Sequence, residues 1–269
     1  MHEAEMPSLS NNDFSQLGLI DSLVKNLMSL EFKTMTPIQE RCLPGLLNGD
    51  DMIARANTGS GKTVAFGLTI LNGLNLKFFA VQALVLCPTR ELAEQVSQVM
   101  RQLARQIPNV KIINLSGGMP MKPQLDSLRH GAHIIIGTPG RVQKHLDSGS
   151  LVLAHLNLLT LDEADRMLDM GFFDSIQAIA QQCPKKRQTL LFSATYPPEI
   201  KAMSHTMTRD PKEVFIDEDN TAQQIEQKFY EVEGRHKLPV LISLLKQYKP
   251  SSALIFVIPS NEQWRLWTN

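Results

Sequence analysis

Short apolar runs recur along this 269-residue chain, each separated from the next by a longer amphipathic stretch. The runs fall at 51–54, 83–87, 111–115, 133–137, 156–162, 189–193 and 214–216, and amphipathic segments at 90–106, 141–148 and 172–182 lie between them. Strands that are apolar almost continuously, rather than at alternate positions, are buried on both faces. Strand and helix in alternation therefore predict an α/β fold, a parallel sheet covered by helices on both faces. In such sheets ligands gather at the carboxyl ends of the strands, so the residues just after each run are the first functional candidates.

One of those positions carries a phosphate-loop pattern, Ala56-Asn57-Thr58-Gly59-Ser60-Gly61-Lys62-Thr63. Gly59 and Gly61 let backbone N–H groups wrap a phosphate, and a helix starting near Lys62 offers its positive end. In this pattern Lys62 reaches the β- and γ-phosphates and Thr63 ligates Mg. The tetrad Asp162-Glu163-Ala164-Asp165 closes the run at 156–162. Two carboxylates emerging from a buried strand are costly unless they meet a cation, and a metal held against ATP phosphates is the one the loop implies. Asp162 fits the carboxylate that holds Mg through water, and Glu163 the base that polarises an attacking water. Asp165 can equally be an acidic helix start, where carboxylates are favoured in any case.

Composition narrows the remaining choices. With 43% hydrophobic residues the chain can bury a full core and has room for more than one domain. Zero net charge excludes a global basic field, so any nucleic-acid contact is local and uses backbone donors and a few arginines. The apolar runs fall far short of a membrane-spanning helix, and the polar start 1–12 is unlike a secretory signal. The expectation is a cytoplasmic protein with no membrane partner. Cys42, Cys87 and Cys183 are far apart in apolar surroundings and read as reduced core thiols. Lys185-Lys186-Arg187 reads as a solvated turn before the strand at 189.

After residue 216, Asp217-Glu218-Asp219-Asn220-Thr221 has linker composition. A strand-like run at 227–232, a helix at 237–248 and an apolar strand at 253–258 follow, too little to cover both faces of a sheet. The strand at 253–258, without neighbours, is an expected site of aggregation or disorder.

Together these motifs resemble the DEAD-box ATP-dependent RNA helicases. The match adds Phe14, the stretch 32–39, Pro88-Thr89-Arg90-Glu91-Leu92, Gly117-Gly118, Thr138-Pro139-Gly140-Arg141 and Ser193-Ala194-Thr195, all in order. Phrases such as Thr34-Met35-Thr36-Pro37 and Leu84-Val85-Leu86-Cys87-Pro88 are most similar to the bacterial DbpA-type subgroup, which acts on large-subunit ribosomal RNA. The resemblance implies a RecA-like P-loop domain at 34–216, preceded by a segment 1–33 that leads into adenine recognition. It also implies a linker at 217–224 and the beginning of a second RecA-like domain at 225–269.

By that resemblance Phe32 stacks on adenine, Gln39 reads its edge, and Phe14 packs behind them. Arg90, Gly118, Thr138 and Arg141 lie along an RNA backbone, while Ser193 and Thr195 link nucleotide state to RNA binding through hydrogen bonds to the tetrad. On its own, Arg90 can equally be a helix-start arginine paired with Glu94.

The chain also departs from the family. Glu31 stands where glycine is usual, Met35 where proline is usual, and Asn57 replaces a common glutamine. No pattern like His-Arg-x-Gly-Arg, the family's source of arginine fingers, follows Ile216. Such fingers contribute about a thousand- to a hundred-thousandfold in rate. The chain is thus expected to be a truncated helicase, or an ATP- and RNA-binding module with little turnover. The tail 259–269, with Trp264 and Trp267, does not match the family and reads as an altered end rather than a base-stacking pair.

Overall fold

The computed structural model describes residues 13–216, 226, 228–233 and 236–256. The chain divides into two compact units, Met1–Glu218 and Asp219–Asn269.

In the first unit seven strands form one sheet: β1 (Met52–Arg55), β2 (Ala83–Leu86), β3 (Ile112–Leu115), β4 (Ile134–Gly137), β5 (Leu158–Leu161), β6 (Gln188–Ser193) and β7 (Lys212–Phe215). All run parallel, in the order β3-β4-β2-β5-β6-β1-β7. The predicted α/β architecture is therefore present, with strand ends shifted by a residue or two. The last run moves furthest, to Lys212–Phe215. As an edge strand β7 has no second neighbour to cover it, and its first two residues are exposed.

The continuous apolar strands serve two cores at once. Val85, Ile134, Ile136, Leu190 and Phe192 face one side of the sheet, and Leu84, Leu86, Ile135, Leu159 and Leu191 face the other. This is the strand period of two read out on both faces. Helices α1 (Asp21–Ser29), α2 (Pro37–Asn48), α3 (Lys62–Asn72) and α4 (Arg90–Leu103) cover the first face. The second face is covered by α6 (Pro139–Asp147), α7 (Ala164–Asp169), α8 (Phe173–Gln182) and α9 (Pro198–Met207). Between β3 and β4 runs α5 (Met121–Arg129). Burying each large aliphatic or aromatic side chain stabilises the fold by about 1.5–3 kcal/mol.

Asp51, which the apolar pattern places inside β1, does a different job. Its buried carboxylate accepts from Thr189 N at 2.8 Å and Arg209 N at 2.7 Å, and its carbonyl accepts from Lys212 N at 2.9 Å. It thereby ties together the starts of β1, β6 and β7. The three cysteines are free and buried, and burial pushes the Cys42 thiol up to about 12. Lys185 and Lys186 are exposed in the turn before β6, while Arg187 folds inward onto Pro184 O at 2.9 Å.

In the second unit the expected helix is present as α10 (Lys237–Tyr248). The two expected strands are not: residues 228–233 and 253–256 are described, and neither stretch is a strand. A strand needs a ladder partner for its N–H and C=O groups, and the described residues of this unit contain none. Leu254 and Phe256 accordingly stand 81% and 88% exposed. The linker at 217–221, the last two residues of the run 253–258, and Trp264 and Trp267 lie outside the described residues.

Candidate nucleotide site and nucleic-acid face

Because every strand runs the same way, all seven carboxyl ends share one edge of the sheet, and the strand order sorts the motifs along it. The β5-β6-β1 half carries the tetrad, Ser193–Thr195 and the phosphate loop. The β3-β4-β2 half carries Gly117–Gly118, Thr138–Arg141 and Arg90.

The phosphate loop spans the turn from β1 to α3. Gly59 and Gly61 have φ of +86° and +98°, in the left-handed region that favours glycine. Gly61 is constrained a second way, since a Cβ there would lie 2.5 Å from Gln39 Nε2 and 2.8 Å from Thr36 Oγ1. The buried Gln39 amide fills that space. Its Oε1 accepts from Thr36 N at 2.9 Å and its Nε2 donates to Gly61 O at 3.0 Å. One Nε2 hydrogen and one Oε1 lone pair remain for a ligand. Phe32 packs half-buried against the core, and Phe14 is buried in the 3-10 turn Phe14–Leu17. Between them α1 ends at Ser29, and Glu31, two residues on, takes φ +60°.

Lys62 is buried and donates to Ala56 O at 2.8 Å, so its ammonium caps the first carbonyl of its own loop. Asn57, Thr58 and Gly59 are exposed, and Thr63 follows Lys62 half-buried on the first turn of α3. The Ser60 hydroxyl is buried without a hydrogen-bond partner among the described residues.

Asp162 is 3% exposed, and its Oδ1 likewise has no partner among the described residues. Burial pushes its pKa up to about 6; the charge of Lys62 opposes that rise and the charge of Glu163 adds to it. A buried carboxylate with an unsatisfied oxygen facing a lysine fits a site completed by a cation. No group of three or more His, Cys, Asp or Glu able to hold a metal exists among the described residues.

Glu163 adopts left-handed φ +53° and ψ +55° at the N-cap of α7, a strained backbone for a non-glycine residue. That turn aims its carboxylate at the phosphate loop: Oε1 accepts from Thr58 Oγ1 at 3.1 Å, and Oε2 from Arg166 Nη1 at 3.3 Å. Asp165 faces the other way. Its Oδ2 accepts from Thr195 N and Oγ1, and its own N–H donates to Ser193 Oγ at 3.2 Å. Burial pushes its pKa up, but the hydrogen bonds from Thr195 and Arg166 outweigh it and leave the carboxyl below its ordinary value. Ser193 O also accepts from Ala56 N at 3.0 Å, so Ser193 touches both the tetrad and the phosphate loop.

On the other half, the Arg90 guanidinium lies against Gly118, where an added Cβ would sit 3.0 Å from Nη1. Arg90 pairs with its neighbour Glu91 at 3.2 Å. Glu94, the partner suggested by helical spacing, instead pairs with Arg101 at 3.6 Å and accepts from Asn114 at 3.0 Å. Thr138 is the N-cap of α6, and its N–H donates to Leu115 O at 3.1 Å. Arg141, one turn on, donates to Met119 O and to Gln124 Oε1, each at 2.8 Å.

A family model described as DEAD/DEAH box helicase matches residues 36–203, well over half of the chain. The chain belongs to the DEAD/DEAH box helicase family. Among curated members it is 50% identical to the ATP-dependent RNA helicase DbpA of Escherichia coli, over 90% of this chain and 53% of that protein. It is 40% identical to the DEAD-box ATP-dependent RNA helicase CshA of Geobacillus kaustophilus, over 90% of this chain and 52% of that one. Among solved structures it is similar to a DEAD box protein of the hyperthermophile Methanococcus jannaschii, with a TM-score of 0.73 and 35% identity. That likeness covers 87% of this chain and 63% of the other. The chain spans about half the length of the curated relatives it matches.

Within this helicase fold, the partners of the site residues are what sequence reading missed. Arg166 follows Glu163 by three helical positions, a spacing that could have signalled the pair. The contact of Thr58 with Glu163 and the grip of Gln124 on Arg141 join residues 105 and 17 positions apart and leave no local signal. Among the described residues no helix is long and apolar enough to cross a membrane.

Proposed function

We propose that this chain is the ATP- and RNA-gripping part of a cytoplasmic ATP-dependent RNA helicase, in which RNA-stimulated ATP hydrolysis drives local separation of RNA duplexes. The observation that carries the reading is Asp162, a buried carboxylate with an unsatisfied oxygen beside the phosphate-loop lysine. Phe32 stacks on adenine, and the remaining hydrogen and lone pair of Gln39 read its edge. Lys62 leaves Ala56 O and turns to the β- and γ-phosphates, which the loop from Ala56 to Gly61 cradles with backbone N–H groups. Thr63 and Asp162, the latter through water, would hold Mg, whose positive charge would offset that of the phosphates. Glu163, already aimed at the loop, takes a proton from the attacking water.

Arg90, Gly118, Thr138 and Arg141 follow an RNA backbone with few charges, which favours modest, sequence-independent affinity. The contacts of Asp165 with Ser193 and Thr195 join the tetrad to the phosphate loop and supply the coupling. Ribosomal RNA is the substrate we favour, on the resemblance to the DbpA-type subgroup.

Single-turnover ATP hydrolysis with Mg, with and without duplex RNA, tests the reading. RNA stimulates the rate, Lys62→Ala abolishes binding, and Glu163→Gln keeps binding but slows hydrolysis about a hundredfold or more. A rate indifferent both to RNA and to Lys62→Ala sinks it.

A further inference from the structure

Behind Arg141 lies a buried polar network that no step above uses. Gln124 on α5 is buried, and its amide makes three hydrogen bonds to two segments, one to the residue after β3 and two to α6. Its Nε2 donates to Ser116 O at 3.1 Å, where the Gly117–Gly118 loop begins. Its Oε1 accepts from Arg141 Nη1 at 2.8 Å and lies 3.0 Å from Nε2 of His145, a fully buried residue. The ring is flanked on its far side by Ser150 Oγ, 2.8 Å from Nδ1.

These roles determine one another. Because Gln124 Oε1 is an acceptor, His145 Nε2 carries the hydrogen and Nδ1 accepts from Ser150. Burial and the nearby Arg141 charge both hold the His145 pKa below its ordinary value, which keeps this neutral form. Arg141 commits one Nη1 and one Nη2 hydrogen inward, the latter to Met119 O. The planar guanidinium is thus fixed at two points, and three of its five N–H donors have no hydrogen-bond partner among the described residues.

We propose that Gln124 and His145 are positioning residues for RNA binding: without touching RNA, they hold the Arg141 guanidinium and the Gly117–Gly118 loop in one fixed geometry. Gln124 and His145 are themselves buried and satisfy each other, so loss of either leaves the other with an unpaired polar atom. A guanidinium already held in place loses less freedom on meeting a phosphate than a free one does. This inference rests on the RNA-backbone role proposed above for Arg141.

The test is fluorescence anisotropy of a labelled oligouridine RNA binding the full chain across a salt series. Gln124→Ala weakens binding about five- to tenfold. It leaves the salt slope unchanged, because the phosphate-facing charge remains. Arg141→Ala weakens binding and lowers the slope by about 0.7, the value for one lost contact on single strands. In the Arg141→Ala background, Gln124→Ala costs clearly less than in the parent chain, leaving only the share that passes through the Gly117–Gly118 loop. His145→Leu behaves like Gln124→Ala. His145→Gln, whose amide nitrogen can replace Nε2 as donor to Gln124, restores most of the affinity, a rescue that a general loss of packing would not show. If Arg141→Ala binds like the parent chain, the RNA-backbone role itself is wrong. If Arg141→Ala weakens binding but Gln124→Ala does not, or if the two losses add in the double variant, only the positioning role is overturned. Failure of His145→Gln to exceed His145→Leu overturns the part assigned to the histidine.

Discussion

Asp165 Oδ2 accepts two hydrogen bonds from Thr195, one from the backbone N–H at 2.8 Å and one from the hydroxyl at 2.9 Å. The last carboxylate of the tetrad and the residue two beyond β6 are therefore tied together at two points. Ser193, at the end of β6, carries the connection on to the phosphate loop through Ala56.

Thr195→Val removes the hydroxyl and keeps the shape. We expect RNA affinity to lose about tenfold of its response to ATP, with nucleotide affinity unchanged. RNA titrations with and without a non-hydrolysable ATP analogue measure this. The same pair has an acid signature. The Asp165 pKa lies below its ordinary value, so its contribution to stability is present above about pH 4 and is lost as pH falls through the folded-state value. Thermal melts of Asp165→Asn between pH 3 and 5 should show a flatter acid limb than the parent.

Asp162 has the opposite sign. Its pKa is pushed up to about 6, so the native state favours the proton and stability falls as pH rises from about 4 through 6. Asp162→Asn should stabilise the nucleotide-free protein at pH 7 by up to about 3 kcal/mol while removing Mg-dependent ATP binding. Melts across pH 4 to 8 check it: the gap between variant and parent opens from about pH 4 and levels off above about pH 6.

Gly61→Ala joins two costs in one methyl group. The residue must keep a φ of +98°, and its Cβ would press on Gln39 and Thr36. Relieving that pressure swings the Gln39 amide off Gly61 O and Thr36 N. We expect a loss of about 2–4 kcal/mol in stability and at least a hundredfold in ATP affinity. Chemical denaturation and titration with a fluorescent ATP analogue report the two separately.

Glu31 is exposed at φ +60°, where an L side chain is strained. Glu31→Gly, the residue usual in the family, should stabilise the fold by about 1 kcal/mol. For a domain of this size that is a rise of about 2–4 °C in melting temperature, readable by calorimetry. A fall instead would mean that the Glu31 side chain has a role that its exposure conceals.

The legible parts of this protein were those with local causes. Runs such as Ile134-Ile135-Ile136 must lie between two layers, and the phosphate-loop glycines must sit in a turn, whatever the rest of the chain does. The expected strand at 253–258 shows the limit of that logic. Its apolar residues favour a strand, but a strand exists only beside a neighbour, and composition cannot provide one. Arg90 shows the same limit at the level of side chains. Helical spacing offered Glu94, but Asn114 and Arg101 hold that carboxylate, and Arg90 turned to Glu91.

By itself, then, the sequence determined the α/β class, the family and the chemical identity of the groups along the binding edge, since each depends on residue type and short-range period. Only the tertiary structure decided which of those groups meet. Parallel strands are joined by crossovers, so neighbours in the sheet need not be neighbours in the chain: β1 lies between β6 and β7, and β2 between β4 and β5. That order sets Lys62 to act on Asp162, brings Thr58 to Glu163, and puts the Arg90–Arg141 face on the other half of the edge.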